Sequence, residues 1–497
     1  MKMRRWASVP VLCVLFASIP VLVGGCGAAS AQTLTNLWSF LTDSPGGPLL
    51  QGRDGNFYGT TYPRPVPEVK RALASSSDQS SSDFGSVYRI SLSGNFTNLY
   101  IFQGPDGALP FGGLIQGSDG YFYGTTDSGG TNSAGTVFRI SSPGALTTLW
   151  QFCSIQDQNG NCLDGAYPGA GLIQGSDGYF YGTTSGGGTN SAGTVFRISS
   201  AGALTTLWQF GSGPSDGASP WGGLIQGSDG YFYGTTSGGG TNSAGTVFRI
   251  SSAGALTTRW QFCSIRDQNG NCLDGASPRA GLVQGSDGYF YGTAGNGGTN
   301  NVGTAFRISS AGALTTLWQF GSGPSGGWYP DAGLLQGSDG NFYGTTVNGG
   351  GWGNGTVFRI SSNGVLTNLY SFGASTNDGS GPYDVAIQGS DGKFYGTTET
   401  GGAYGNGTVF RLSVPLNPPA NQISAFQFLD VFDDTYIAFL IPSVAGEAYQ
   451  LQYTDSMNPA NWINSGDPMS SIGGPLTAFD LVEPMTPQRF YRFSITP

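Results

Sequence analysis

The sequence predicts an all-β fold, and three observations support that prediction. The 497 residues include 85 glycines and 13% aromatic residues, but only 10% charged residues. One segment, from Gly171 to Thr206, recurs letter for letter from Gly223 to Thr258. Within it, short β-branched and aromatic runs are separated by glycine-rich turns, which is the pattern of strands in an antiparallel sheet rather than of helices.

Seven copies of a longer unit follow one another along the chain, and we number them 1 to 7. Each contains the segment Q-G-x-D-G-x-F-Y-G, whose aspartates are Asp54, Asp119, Asp177, Asp229, Asp287, Asp339 and Asp391. Their spacings are 65, 58, 52, 58, 52 and 52 residues. A period near 50 is too long for a leucine-rich repeat and is typical of one propeller blade.

Each copy divides into four predicted strands. In copy 3 these are Gly171–Gln174, Tyr179–Thr184, Thr194–Ser199 and Leu204–Phe210. Glycine-containing turns separate them, as expected where the backbone needs a positive φ. The strands are apolar on both faces, which is expected if neighbouring sheets pack face to face.

The two ends of the repeat region complement each other. Copy 7 stops after its third strand, at Ser413, while a fourth strand of the usual form, L-T-N-L-W-S-F, occurs at Leu34–Phe40. The N-terminal strand can therefore complete the last blade and leave no open edge between blades. We predict a seven-bladed β-propeller over residues 32–413, closed by the N-terminal strand.

The first 31 residues have the features of an export signal. Basic residues precede an apolar run from Val9 to Val23, and Ala29-Ser30-Ala31 supplies a small-residue cleavage site. An alternative is a lipobox ending at Cys26, whose thiol would then be acylated. Both alternatives predict export, with membrane contact only through a lipid on Cys26.

Four further cysteines form two C-x8-C pairs, Cys153 with Cys162 and Cys263 with Cys272. In an exported protein this spacing predicts two local disulfides. A metal site is disfavoured because each loop has two thiols and the chain has no histidine. Asp157 and Asp164, with neighbouring asparagines, leave an oxygen-ligand calcium loop as an alternative, although the spacing and terminal Glu of such loops are missing.

The composition changes after a linker at residues 414–422. Residues 423–497 contain alternating strand-like segments, among them Y-I-A-F-L-I and Y-Q-L-Q-Y-T. They predict a small β-sandwich, which resembles the fibronectin-like C-terminal modules of exported bacterial proteins.

The repeat itself resembles a known family. The pieces G-x-D-G-x-F-Y-G-T-T, G-G-x-x-x-x-G-T-V-F-R-I and L-T-x-L-W-x-F are similar to the GloVer tandem repeats of secreted, choice-of-anchor bacterial proteins, over about Thr33 to Ser413. The resemblance implies export and surface attachment, and it carries no catalytic residues over to this chain.

The amino-acid composition excludes one class of function and disfavours another. The chain has no histidine and a net charge of −10, so histidine-based catalysis is excluded and nucleic-acid binding is disfavoured. The repeated turn aspartates and third-strand arginines occur in seven equivalent copies, whereas a catalytic site needs one asymmetric arrangement. We therefore expect them to bond the backbone.

The variable residues are expected on one rim. In a four-stranded meander, the loops between second and third strands share a rim with the links between copies, and all length variation falls there. Each link has a proline before the first strand, and we call the residue after it the link position. Its occupants are Gly46, Phe111, Gly169, Trp221, Arg279, Asp331 and Tyr383. Trp328, Trp352 and Tyr404 from nearby loops are predicted to join them around the mouth of a central channel.

These observations favour an exported, non-enzymatic protein that binds a glycan or an envelope protein at this rim. We expect no cofactor, and we expect the protein to be a monomer. One alternative is a carboxylate-dependent glycan lyase or hydrolase, which would have to use aspartates because glutamate is scarce. The other is a structural surface spacer, in which link residues vary freely.

Overall fold

The computed structural model describes residues 32–64, 84–321 and 326–414, and seven shorter segments at 425–431, 434–441, 448–454, 463–465, 468–470, 476–481 and 490–496. The export segment with Cys26, most of the copy 1 insertion and most of the predicted linker lie outside the described residues. The described residues form strands and turns throughout, and none of them is helical. Within these ranges, no helix has the length and hydropathy needed to span a lipid bilayer.

Each copy forms one antiparallel sheet whose strands are ordered as in the chain. The first strands are Leu50–Gln51, Ile115–Gln116, Ile173–Gln174, Ile225–Gln226, Val283–Gln284, Leu335–Gln336 and Ile387–Gln388. The second strands are Phe57–Tyr62, Phe122–Thr126, Phe180–Thr184, Phe232–Thr236, Phe290–Ala294, Phe342–Thr346 and Phe394–Thr398.

The third strands are Ser86–Ile90, Thr136–Ile140, Thr194–Ile198, Thr246–Ile250, Thr304–Ile308, Thr356–Ile360 and Thr408–Ser413. The fourth strands of copies 1 to 6 are Phe96–Ile101, Leu146–Gln151, Leu204–Gln209, Leu256–Gln261, Leu314–Gln319 and Leu366–Ser371. The fourth strand of the copy 7 sheet is the N-terminal strand Thr33–Ser39, which pairs antiparallel with Thr408–Ser413.

The first strands pair over only two residues, fewer than predicted. The glycines before them pack against the same segment of the preceding copy instead of pairing with their own second strand. A Cβ on Gly171, for example, would lie 2.7 Å from the carbonyl oxygen of Gly113. Close backbone approach between copies therefore explains the glycine that precedes leucine in this segment of copies 2 to 6.

Short strands that the sequence did not predict connect the links to the loops between second and third strands. They are Ser44–Pro45, Gly217–Ala218, Gly238–Gly239, Gly327–Trp328, Asn348–Gly349, Gly379–Ser380 and Thr400–Gly401. Most pair glycine with a small neighbour, so they lack the alternating side-chain pattern that announces a strand.

The hydrophobic core lies between neighbouring copies. One cluster joins Tyr181 and Val195 of copy 3 to Phe232 and Phe248 of copy 4, all of them buried. Tyrosine and phenylalanine rings of successive second strands stack with centroids 3.8 to 4.2 Å apart in every copy. The pairs include Phe57 of copy 1 with Tyr395 of copy 7.

Hydrogen bonds join the same neighbouring copies. The first-strand glutamine of each copy accepts from a turn backbone N–H of the preceding copy, as Gln226 does from Ser176 at 2.9 Å. The same bond joins Ser390 of copy 7 to Gln51 of copy 1, at 2.8 Å. A side-chain amide with two donors and an acceptor suits this bridge, because Gln226 also donates to the Gly230 carbonyl of its own turn.

Beyond the copies, two further sheets are formed. One contains Ala425–Val431, Asp434–Ile441 and Leu476–Leu481, and the other contains Ala448–Thr454, Ile463–Asn464, Met469–Ser470 and Phe490–Thr496. Two antiparallel sheets agree with a small all-β module, and the fibronectin-like assignment stays a prediction.

Candidate binding site

The link prolines fix the backbone around the variable residues. In copy 4, Ser219 has a φ of 52°, its N–H donates to the Ala192 carbonyl at 2.8 Å, and its carbonyl accepts from Ser237 at 3.1 Å. The ring of Pro220 follows, with its Cδ 2.7 Å from where a Cβ on Gly193 would lie. The glycine before each third strand thus makes room for the next copy's proline.

The same left-handed backbone precedes the proline in six copies, at Leu109, Tyr167, Ser219, Ser277, Tyr329 and Gly381. Five of these residues are not glycine, although a side chain in this region is strained. Because hydrogen bonds on both sides hold the conformation, the following link residue projects from a rigid backbone.

The five link residues that are not glycine line one cavity of about 510 Å³, which we call the mouth cavity. They are Phe111, Trp221, Arg279, Asp331 and Tyr383, joined by Gly46. A narrower space of about 360 Å³ is lined by these five and by the glycine-rich segments that follow the prolines. The five side chains therefore lie together, and their place at the mouth of a central channel stays a prediction.

Small residues at this level leave room for large side chains of the neighbouring copy. A Cβ on Gly169 would lie 3.4 Å from the indole of Trp221, and a Cβ on Gly295 would lie 2.2 Å from a carboxylate oxygen of Asp331. Phe111 contacts Tyr62, with ring centroids 5.0 Å apart. The Asp331 carboxylate therefore depends on the glycine at position 295, whereas the Trp221 indole would be in ordinary contact with a side chain at position 169.

The other three predicted aromatic residues lie elsewhere. Trp328, Trp352 and Tyr404 are exposed, and none of them lines the mouth cavity. Trp352 lies beside the link between copies 6 and 7, with its Cβ 2.9 Å from where a Cβ on Gly373 would be. The structure thus divides the predicted site residues into a clustered group of five and a dispersed group of three.

Sequence reasoning missed a second variable position, at the residue that follows F-Y-G-T-T (F-Y-G-T-A in copy 5). Its occupants are Tyr62, Asp127, Ser185, Ser237, Gly295, Val347 and Glu399. Tyr62 and Glu399 line the mouth cavity. The signal was available, because this residue changes in nearly every copy while the F-Y-G-T at the start of the same strand does not.

A third difference is confined to copy 7. The second residue after the link proline is Gly or Ala in copies 1 to 6 but Asp384 in copy 7. Asp384 lines the mouth cavity, and its carboxylate accepts a hydrogen bond from Thr397 at 3.3 Å. The sequence signal was one acidic residue at a position otherwise occupied by the smallest side chains.

Two of the cavity's three carboxyl groups have basic partners. Arg279 lies 3.4 Å from Asp331, whose side chain is 12% exposed against 54% for the arginine. Burial raises the pKa of Asp331, and the arginine opposes that effect. The Tyr62 hydroxyl donates to Glu399 at 2.6 Å, and Arg64 lies 3.8 Å from the same carboxylate oxygen. Burial raises the pKa of Tyr62, and its bond to Glu399 raises it further.

Asp384 is the third carboxyl group of the cavity, and it is partly buried. Burial raises its pKa to about 7, the Glu399 charge adds to that effect, and the Thr397 hydroxyl opposes it. Burial also raises the pKa of Tyr383, with contributions from the charges of Glu399 and Asp331. The mouth cavity therefore combines aromatic side chains with one carboxyl that is half protonated near neutral pH.

The repeated aspartates and arginines stabilise the sheets. Asp177 accepts from the Tyr181 hydroxyl at 2.6 Å and from the Tyr179 backbone at 3.2 Å. Arg197 donates to the Ser252 carbonyl of the next copy at 3.4 Å and lies over the Tyr179 ring, 5.0 Å from its centroid. These contacts agree with the architectural role expected from seven equivalent copies.

Both disulfides are formed, Cys153 with Cys162 and Cys263 with Cys272, each with a Cα–Cα distance of 4.4 Å. In the first loop, Asp157 accepts from the Asn161 side chain at 2.7 Å, and this bond and others from the loop backbone lower its pKa. Asp164 accepts from the Trp150 indole at 3.1 Å. Among the described residues, no group of three or more His, Cys, Asp or Glu side chains is placed to hold a metal ion.

Solved structures similar to this chain include three of different kinds. A fungal alcohol oxidase in complex with copper has a TM-score of 0.46 and 13% identity, covering 93% of this chain and 92% of its own. The BP39L lectin from Burkholderia pseudomallei has a TM-score of 0.35 and 12% identity, covering 68% and 80%. A xylan β-1,4-xylosidase from Bacillus halodurans has a TM-score of 0.28 and 11% identity, covering 91% and 98%. These scores are too low to support an argument about fold or activity.

A search of curated proteins finds no match. A family model does match: the Gloeobacter/Verrucomicrobia repeat aligns four times, with residues 27–161, 71–272, 155–327 and 261–438. These overlapping matches extend over most of the chain and agree with the resemblance stated from its motifs. The chain belongs to the Gloeobacter/Verrucomicrobia repeat family.

Proposed function

We propose that the seven sheets are the blades of a closed β-propeller and that the mouth cavity of this propeller binds a glycan outside the cytoplasm. Closure is supported by the pairing of Thr33–Ser39 with Thr408–Ser413 and by the bonds that join copy 7 to copy 1. Export is supported by the two disulfides, which are typical of an oxidising compartment.

The observation that carries the proposal is the lining of the mouth cavity. Four aromatic side chains, from Tyr62, Phe111, Trp221 and Tyr383, share it with the Arg279–Asp331 pair and with the carboxyl groups of Glu399 and Asp384. Aromatic rings stack on the apolar faces of sugars, and charged groups bond their hydroxyls. A volume of about 510 Å³ holds a small ligand or a few sugar units rather than a flat protein surface.

The test is binding of the mature protein to a panel of polysaccharides and cell-envelope fractions. Replacing Trp221 or Tyr383 with alanine should weaken binding about 30-fold or more, because each supplies a central aromatic surface. Both side chains are 46% exposed, so the melting temperature should change little.

Trp352 provides the matched control, because it is 64% exposed and lies outside the cavity. Trp352→Ala should bind like the native protein. Failure to bind any polysaccharide would refute the proposal and favour a structural spacer. Binding to an envelope protein alone would replace the glycan with a protein partner.

A second candidate function is glycan cleavage. It is favoured by two cavity carboxyls in different environments: Asp384, whose pKa burial raises to about 7, and Glu399, which accepts from Tyr62. Such a difference suits one group to donate a proton and the other to accept one. Release of reducing ends from a bound polysaccharide, abolished by Asp384→Asn, would establish it.

A further inference from the structure

We propose that the mouth cavity holds a positively charged ammonium group beside Asp384, so that the glycan it prefers carries free amino groups. This inference rests on the proposed glycan binding and specifies the class of glycan.

The charges of the mouth cavity are unequally matched. Asp331 has Arg279 at 3.4 Å and Glu399 has Arg64 at 3.8 Å. Among the described residues, Asp384 has no cationic side chain beside it, and its carboxylate is bonded by the Thr397 hydroxyl. A partly buried carboxyl without a counter-charge beside it favours a ligand that brings one.

The Asp384 carboxyl is not part of the structure that the seven copies share. In copies 2 to 6 the corresponding threonine bonds a backbone carbonyl of the next copy, as Thr293 bonds Ala332 at 2.7 Å and Thr235 bonds Ala280 at 2.7 Å. In copy 7, Thr397 turns to the Asp384 side chain instead. Since alanine or glycine serves at this position in every other copy, folding of a copy does not require the carboxyl there.

The surroundings of Asp384 also suit a cation. Tyr62, Phe111, Trp221 and Tyr383 line the same cavity, and aromatic faces attract ammonium groups electrostatically. The titratable and charged groups around Asp384 are Tyr62, Arg64, Tyr88, Arg279, Asp331, Tyr383 and Glu399. An ammonium group beside Asp384 would lower the pKa of the carboxyl and so favour the charged form that pairs with it.

The experiment compares two probes by titration calorimetry at pH 6.5: a fully deacetylated chito-oligosaccharide and its N-acetylated counterpart of equal length. We expect the native protein to bind the deacetylated probe at least tenfold more tightly. Asp384→Asn should remove this preference while keeping the affinity for the acetylated probe. Asp384→Ala, which matches Ala332 and Ala280, should give the same result and guards against misfolding of the asparagine variant.

Asp157→Asn is the control for overall charge. It removes one negative charge in the Cys153–Cys162 loop, outside the cavity, and should leave the preference unchanged. Equal affinities for the two probes, or a preference that survives both Asp384 variants, would overturn this inference and leave glycan binding standing. If neither probe nor any other polysaccharide binds, both proposals fail.

Discussion

Replacing Asp384 with asparagine should change how the stability of the protein depends on pH. In the unfolded chain an aspartate loses its proton near pH 3.8, whereas burial raises the pKa of Asp384 in the folded protein to about 7. Between these values the folded state holds a proton that the unfolded state has lost. The contribution of Asp384 to the free energy of unfolding therefore decreases as pH rises from about 4 to about 7, and it is constant above that.

The size of the effect follows from the interval between the two pKa values. Each unit of pH across it is worth up to about 1.4 kcal/mol, which gives an upper limit of about 4 kcal/mol. Water that enters the cavity stabilises the charged form, so we expect about 2 to 4 kcal/mol. Asparagine has no proton to lose, and Asp384→Asn should gain this amount relative to the native protein between pH 4 and pH 8.

The assay is urea unfolding followed by tryptophan fluorescence at several pH values, with the disulfides intact. The quantity of interest is the difference in unfolding free energy between variant and native protein at each pH. Asp391→Asn is the control with the opposite sign: burial raises the pKa of Asp391, but hydrogen bonds from Tyr395 and Lys393 outweigh it and lower the pKa overall. At the acid end of the range, the unfolding free energy of Asp391→Asn should therefore fall further below that of the native protein as the pH rises. A difference for Asp384→Asn that stays constant from pH 4 to pH 8 would refute the reasoning.

Two further predictions concern the stability of the seven sheets. Deleting Leu34–Phe40 should lower the melting temperature strongly, because Phe40 is buried against Tyr88 where copies 1 and 7 meet. Phe40→Ala alone should cost about 3 to 5 kcal/mol, as should its counterpart Phe210→Ala in copy 3, and an unaltered transition would contradict closure by the N-terminal strand. Tyr88→Phe should stabilise by about 1 kcal/mol, since no group among the described residues bonds the buried Tyr88 hydroxyl and phenylalanine occupies this place in the other copies. If denaturation instead shows that Tyr88→Phe lowers the unfolding free energy by about 1 kcal/mol, the Tyr88 hydroxyl has a hydrogen-bond partner.

Much of the frame could be predicted because the chain repeats itself. The second, third and fourth strands of copy 3 lie within one residue of the predicted bounds, since glycine turns mark their ends. The pairing of Thr33–Ser39 with Thr408–Ser413 followed from a strand missing at one end and present at the other. The short link strands could not be predicted, because pairs such as Gly217 with Gly239 leave no side-chain pattern.

The site was only partly predictable. Counting residues from the link prolines placed Trp221, Arg279 and Asp331 around one mouth, because equivalent residues of a repeat occupy equivalent places in the structure. The same comparison, extended to the ends of the second strands, would have identified Tyr62 and Glu399. Their hydrogen bond could not be anticipated from local sequence, since it joins residues 337 positions apart and depends on copy 7 lying beside copy 1.

The composition of the mouth cavity argues against free variation of the link residues. Its charged residues, Arg279, Asp331, Asp384 and Glu399, come from copies 5 to 7, whereas Phe111 and Trp221 come from copies 2 and 4. One side of the mouth is therefore charged and the other apolar, although the copies are nearly identical elsewhere. The residues also depend on one another, because the Asp331 carboxylate fills space that Gly295 leaves open and pairs with Arg279. Unrelated substitutions at exposed positions would not be expected to divide the mouth cavity into a charged and an apolar side.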